Sequence, residues 1–297
     1  MIKYSFIRHL VLLIALVAGG PLFALGWRAS LLATSPFTLA FAGGGLGWAP
    51  HPALIDVNPA HVWGIESESV GYGHLRMFGD LRGSVLAWQG IYRGRPTELR
   101  LRTVSENGIE LRGDIPTAEP LGLTSARLLT ATATRGWRFL GGQLGVSLTG
   151  AYQRIYLYDA RGMWLSAGWT RSLADRLSWG VALTRVGFAE ALGGRTLAPL
   201  PSKVGTGLML TLSPLIGSVG IDITYDGDFG MTPAVMWANG GDTWGLQAAA
   251  QVVGDEVRLA VGVAIDLGNW SAGYALSYQN STLGLPQMFQ VSRNFQR

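Results

Sequence analysis

Val257–Leu267, VRLAVGVAIDL, places Val257, Leu259, Val261, Val263, Ile265 and Leu267 on one side of an extended chain, and Arg258, Ala260, Gly262, Ala264 and Asp266 on the other. Successive side chains of a strand point to opposite faces, so one face here is wholly aliphatic and the other small or charged. One such strand suits a soluble sheet as well as a membrane wall. Repetition decides between them. Trp270, Ala272, Tyr274, Leu276 and Tyr278 alternate with Ser271, Gly273, Ala275, Ser277 and Gln279. Leu208, Leu210 and Leu212 oppose Gly207, Met209 and Thr211. Val219, Ile221, Ile223 and Tyr225 oppose Gly220, Asp222, Thr224 and Asp226, and Trp179, Val181 and Leu183 oppose Ser178, Gly180, Ala182 and Thr184. Segments of about ten residues, apolar on one side and small or polar on the other, are the pattern of a transmembrane β-barrel.

Composition points the same way. The 297-residue chain is 48% hydrophobic and 14% charged, with mean hydropathy +0.25. Ordinary soluble domains carry about 25% charged residues, so this chain has too little charge to cover a water-facing surface. Beyond the N-terminus no apolar run approaches the ~20 residues a spanning helix needs. Every backbone polar group in lipid must be paired internally, which leaves a closed barrel. Cysteine is absent, which excludes disulfides and thiolate metal sites. The formal charge is +4, with Lys3 and Arg8 contributing two of it. Basic residues are scattered, and nothing marks a nucleic-acid partner.

Turn signals punctuate the strands: Asn107-Gly108, Asp159–Gly162, Asp226–Asp228, Asn239–Asp242, Gly254-Asp255 and Gly268-Asn269. They predict an all-β, antiparallel up-and-down barrel of about 14 strands over residues 65–297. Two short polar strands, 97–104 and 108–113, are expected to flank Asn107-Gly108 as a hairpin outside the membrane. Residues 189–202, with Gly193, Gly194, Pro199 and Pro201, read as a long loop. Trp137, Tyr158, Trp179, Trp237, Trp244, Trp270 and Tyr278 sit near segment ends, as interfacial girdles require. Phe295 closes a last strand of the kind that barrel-assembly machinery engages.

Residues 1–25 read as a cleaved secretory signal: Lys3, Arg8 and His9, then the apolar core Leu10–Ala18, then Gly19, Gly20 and Pro21. Export to a bacterial outer membrane follows. Between signal and barrel, residues 26–64 read as a small hatch or plug. Its centre is Ala40–Ala60, AFAGGGLGWAPHPALIDVNPA, with Gly43, Gly44, Gly45 and Gly47 followed by Asn58, Pro59 and Ala60. Glycine permits close backbone approach to a wall, and Asn58 before Pro59 favours an extended residue whose side chain binds nearby backbone.

Ala40, Ala42, the four glycines and Asn58-Pro59-Ala60 resemble the N-terminal signature of FadL-like outer-membrane barrels, including the PorV/PorQ branch. The closing segment GYALSYQNSTLGLPQMFQVSRNF is also similar to the end of PorV/PorQ-type proteins. The PorV/PorQ resemblance implies a part in type IX-like protein secretion or surface attachment, with exported cargo or secretion-system proteins as partners. FadL-like barrels imply the alternative, a channel for hydrophobic compounds such as long-chain fatty acids, with the hatch controlling passage. Mostly short turns lean toward the secretion reading.

No enzyme is expected. His51, Asp56 and His61 recur at five-residue spacing, but in a Pro-rich segment they read as loop residues rather than a metal site. Glu66 and His74 share a strand face that excludes Ser69, so no triad assembles. No cofactor motif is present. Asp222, Asp226, Arg258 and Asp266 fall on the lumen face, where pairing is expected because isolated confined charges are costly.

Overall fold

The computed structural model describes residues 27–78, 80–112, 119–194, 196–227, 229–279 and 284–295. The expected signal, 1–25, lies outside them. Among the described residues no helix is long and apolar enough to cross a membrane. The chain instead forms β1 (Glu68–Arg76), β2 (Arg82–Tyr92), β3 (Arg95–Leu111), β4 (Gly122–Phe139), β5 (Gly142–Ile155), β6 (Tyr158–Ala174) and β7 (Leu177–Glu190). After the two-residue β8 (Leu197–Ala198) come β9 (Lys203–Ser213), β10 (Gly217–Asp226), β11 (Gly230–Gly240), β12 (Trp244–Val253), β13 (Glu256–Leu267), β14 (Trp270–Gln279) and β15 (Gln287–Phe295). Each long strand pairs antiparallel with the next, β7 pairs with β9, and β1 pairs with β15. Fourteen strands close the ring, with β8 a flap on β7.

The outward face is the aliphatic one. Val257, Leu259, Val261 and Ile265 are about half exposed, whereas Ala260 on the opposite face is 2% exposed. The barrel has two unlike ends. One carries the short β2–β3, β4–β5, β6–β7, β9–β10, β11–β12 and β13–β14 turns together with Glu68 and Phe295. The other carries the longest connections, after β3, β7 and β14. Short turns mark the periplasmic end of such barrels.

Two local expectations change. Residues 97–111 are one strand, not a hairpin: β3 runs through Asn107-Gly108 with a bulge between Glu106 and Ile109, and Gly108 absorbs it at φ +75°. The strand continues because its pairing with β4 resumes beyond the bulge, Ile109 opposite Thr124 and Leu111 opposite Gly122. Asp159–Gly162 is likewise strand. The reversal lies at Tyr156-Leu157, with Tyr156 at φ 55°. Ala160 and Gly162 are small because Trp27 packs on that stretch of wall.

Candidate functional site: the lumen plug

Residues 27–65 pack against the inward faces of the strands as a chain of short helical turns. A 3-10 turn (Trp27–Leu31) is followed by the helix α1 (Pro36–Ala40) and two more 3-10 turns (Pro52–Leu54 and Pro59–Gly64). The last three start alike. Ser35, His51 and Asn58 are extended, each precedes a proline at the first helical position, and each side chain accepts a backbone N–H within the next three residues. Proline presets the helical φ and removes a donor that would have no partner, while forcing its predecessor to be extended. Three cap-proline pairs therefore bend a short segment around a small apolar cluster of its own, Ile55, Val62 and Ile65.

The glycine cluster is tied down from three directions. The Asp222 carboxylate on β10, 2% exposed, accepts the N–H of Gly45 at 2.6 Å and of Leu46 at 2.8 Å. Asn58 Nδ2 donates to the Leu46 carbonyl at 2.9 Å while its Oδ1 accepts Ala60 N–H at 3.0 Å. His61 Nδ1 accepts the His51 N–H, so its Nε2 carries the proton and donates to the Gly45 carbonyl at 2.8 Å. Burial pushes the His61 pKa down to about 3, which keeps the ring neutral. Gly45, at φ +109°, sits where a Cβ would lie 2.9 Å from Leu54, so only glycine fits.

The wall meets the plug with glycines of its own. Gly136, Gly145 and Gly168 are consecutive cross-strand partners on β4, β5 and β6, and Gly180 and Gly207 are partners on β7 and β9. A Cβ would lie 2.0 Å from the Pro59 carbonyl at Gly145, 1.8 Å from Asn58 Oδ1 at Gly168, and 1.9 Å from the Leu46 carbonyl at Gly180. At Gly207 it would strike Asp222 at 1.8 Å, and at Gly47, on the plug, it would meet the Gly207 carbonyl at 2.3 Å. Ser178 also donates to the Gly47 carbonyl at 2.5 Å, and Trp63 to the Leu144 carbonyl at 3.1 Å. A belt of bare backbone across β4–β9 is thus the seat of the plug. Its members are dispersed in the sequence, and pairing them required the register.

Charges missed in the sequence form a second attachment. Arg100, 7% exposed, pairs with Glu98 at 2.5 Å and with Asp56 of the plug, which also accepts from Thr34. Burial alone would raise the Asp56 carboxyl. Arg100, the Thr34 hydroxyl, Arg102 and Arg185 outweigh it and hold the group below the usual range. Arg102 donates to the Ser30 and Ala29 carbonyls at 3.1 and 2.9 Å, closing the end of the first 3-10 turn. The signal was present: Glu98, Arg100 and Arg102 alternate with outward Leu99 and Leu101.

Of the four lumen charges expected from the sequence, Asp222 holds the glycine loop. Asp226 pairs with Lys203 at 3.1 Å, and Arg258 donates to Gln279 at 3.3 Å. Asp266 stands apart, exposed at the short-turn end. No group of three metal-ligating side chains exists among the described residues. His51 stacks on Phe37 at 4.2 Å, away from the Asp56 pair. His74 meets Ser84, and Ser69 meets Gln89, so the Glu66, Ser69 and His74 side chains stay separate.

On the side away from the glycine belt the plug meets the wall through apolar packing. α1 packs there on β12–β15, with its Ala40 against Gly262 and its Pro36 against Gly273. Beneath it a vestibule of about 660 Å³ opens at the short-turn end. Its floor is Phe37, Trp48 and Pro52, and its wall carries hydroxyls and amides such as Ser271, Gln290 and Asn294.

No protein-family model matches the chain, and no curated protein matches it in sequence. Solved structures do match in fold. The Pseudomonas putida toluene transporter TodX gives a TM-score of 0.66 at 12% identity, over 89% of this chain and 98% of that one. The CymD monoaromatic hydrocarbon channel gives 0.62 at 12% identity, again over 89% and 98%. A Pseudomonas aeruginosa FadL homologue gives 0.56 at 14% identity over the same shares. At such identities the likeness is one of fold alone: the chain shares the antiparallel β-barrel architecture of these channels, closed here around its own N-terminal segment.

Proposed function

We propose that the protein is an outer-membrane channel for hydrophobic small molecules and that residues 27–65 are its gate. One observation carries the reading. Among the described residues the plug is hydrogen-bonded and ion-paired to the wall along β3–β10, whereas along β12–β15, beside the vestibule, it is packed against it. A plug held on one side can yield on the other without breaking its polar anchors. Similar folds serve hydrocarbon passage in TodX and CymD, which favours transport over the secretion role suggested by the PorV/PorQ resemblance.

The test is a reversible lock. A Cβ at Gly273 would lie 3.5 Å from Pro36 Cβ, within disulfide range, and the chain has no cysteine to interfere. Cells whose own hydrophobic-compound channels are deleted would express the protein and be given labelled toluene or oleate. Uptake should rise with the native chain, fall with oxidised Pro36→Cys/Gly273→Cys, and return on reduction. No uptake above background, together with co-purification of exported proteins, would overturn transport in favour of secretion.

A further inference from the structure

The outer surface carries a basic cluster that the gate does not use. Tyr92 ends β2 and pairs across the turn with Arg95. The Arg93 guanidinium lies 5.3 Å and that of Arg135 5.9 Å from the Tyr92 ring, while Arg95 lies 5.6 Å from the Trp137 ring. Three guanidiniums and two aromatic rings thus interleave on the outward side of β2–β4 at the short-turn end. None of the three forms a salt bridge among the described residues. The outward carboxylate on neighbouring β1, Glu68, is occupied with the Trp88 indole at 2.9 Å. Arg135 has a buried Nε with no hydrogen-bond partner.

The placement is selective. The outward arginines that do hold carboxylates, Arg82 with Asp80 and Arg112 with Glu110, are at the long-loop end. Further round the short-turn rim Arg293 stacks between Trp270 and Phe295, at 5.5 and 5.4 Å. Aromatic rings on a barrel wall mark the depth of lipid headgroups. Leu99, on the same outward face and one strand turn deeper, is exposed and apolar. A phosphodiester at the depth of Tyr92 and Trp137 would meet guanidiniums able to donate in parallel, with its acyl chains running down past Leu99.

We infer that Arg93, Arg95 and Arg135, framed by Tyr92 and Trp137, form a binding site for the phosphate of an anionic membrane phospholipid in the leaflet at the short-turn end. The three arginines remain without carboxylate partners because the lipid supplies the counter-charge. The site is independent of the lumen and of what passes through it.

Native mass spectrometry of the full-length protein in mild detergent tests the site, titrating phosphatidylglycerol and phosphatidylcholine of identical acyl chains. Each basic side chain near an anionic headgroup contributes about fivefold in affinity. Phosphatidylglycerol should therefore bind at least tenfold tighter than phosphatidylcholine. The variant Arg93→Gln/Arg95→Gln/Arg135→Gln should lose that preference, and Arg82→Gln/Arg112→Gln, at the long-loop end, should keep it. If the triple variant fails to fold, Arg95→Gln and Arg135→Gln singly should each weaken phosphatidylglycerol several-fold. Equal binding of the two lipids by the native chain, or an unchanged preference in the rim variants, would overturn the assignment.

Discussion

Asp222→Ala should release the glycine loop while leaving the barrel intact. Asp222 is 2% exposed, and its carboxylate is the acceptor for Gly45 and Leu46 N–H at 2.6 and 2.8 Å. Truncation leaves two buried backbone donors without a partner, each costing about 1–3 kcal/mol. Removing a buried carboxylate offsets part of this, because its own desolvation was unfavourable. A net loss of about 3 kcal/mol in plug docking corresponds to roughly 150-fold in the ratio of released to docked plug. Ring closure does not depend on the side chain, since β10 keeps its backbone ladders to β9 and β11. Amide hydrogen exchange in detergent should show Gly45 and Leu46 losing about two decades of protection, with the Ile221 and Ile223 amides unchanged. Asp222→Asn, which keeps one acceptor oxygen, should fall between. Unchanged protection of Gly45 and Leu46 in Asp222→Ala would refute the idea that this carboxylate pins the plug.

The other expectations concern the same seat. Gly180→Ala places a methyl 1.9 Å from the Leu46 carbonyl and should lift the plug, raising protease cleavage within 43–58, whereas Gly150→Ala, with nothing within 4 Å, should behave as native. Asp56→Asn weakens the Arg100 pair but leaves Glu98 beside it; a loss of about 1–3 kcal/mol in plug protection is expected, and none would refute the coupling. His61, whose docked pKa is about 3 against an ordinary 6.5, binds fewer protons docked than released. The His61 contribution to docking is therefore fully present above about pH 6.5 and is lost as pH falls toward 3, by up to about 1.4 kcal/mol per pH unit. The difference in Gly45 exchange between the native chain and His61→Gln, measured from pH 7 to 5, should show that slope.

The sequence by itself determined the membrane wall. Alternation such as Val257–Leu267 needs only the two-residue period of a strand, and a charge-poor chain without spanning helices has one way to satisfy its backbone in lipid. It also marked the plug motif, because glycine and Asn-Pro restrict backbone geometry locally. Turn signals were less decisive: Asn107-Gly108 became a bulge and Asp159–Gly162 a strand, since cross-strand partners and Trp27 packing outweighed local preference. Where the motif is seated was decided only in three dimensions. Asp222 lies 177 residues from Gly45, and Gly145, Gly168 and Gly180 look like ordinary small lumen residues until register aligns them beneath Asn58, Pro59 and Leu46. Period-two patterning states which face a residue takes. Which residues meet across the lumen depends on the register and closure of all fourteen strands, and no local stretch encodes that.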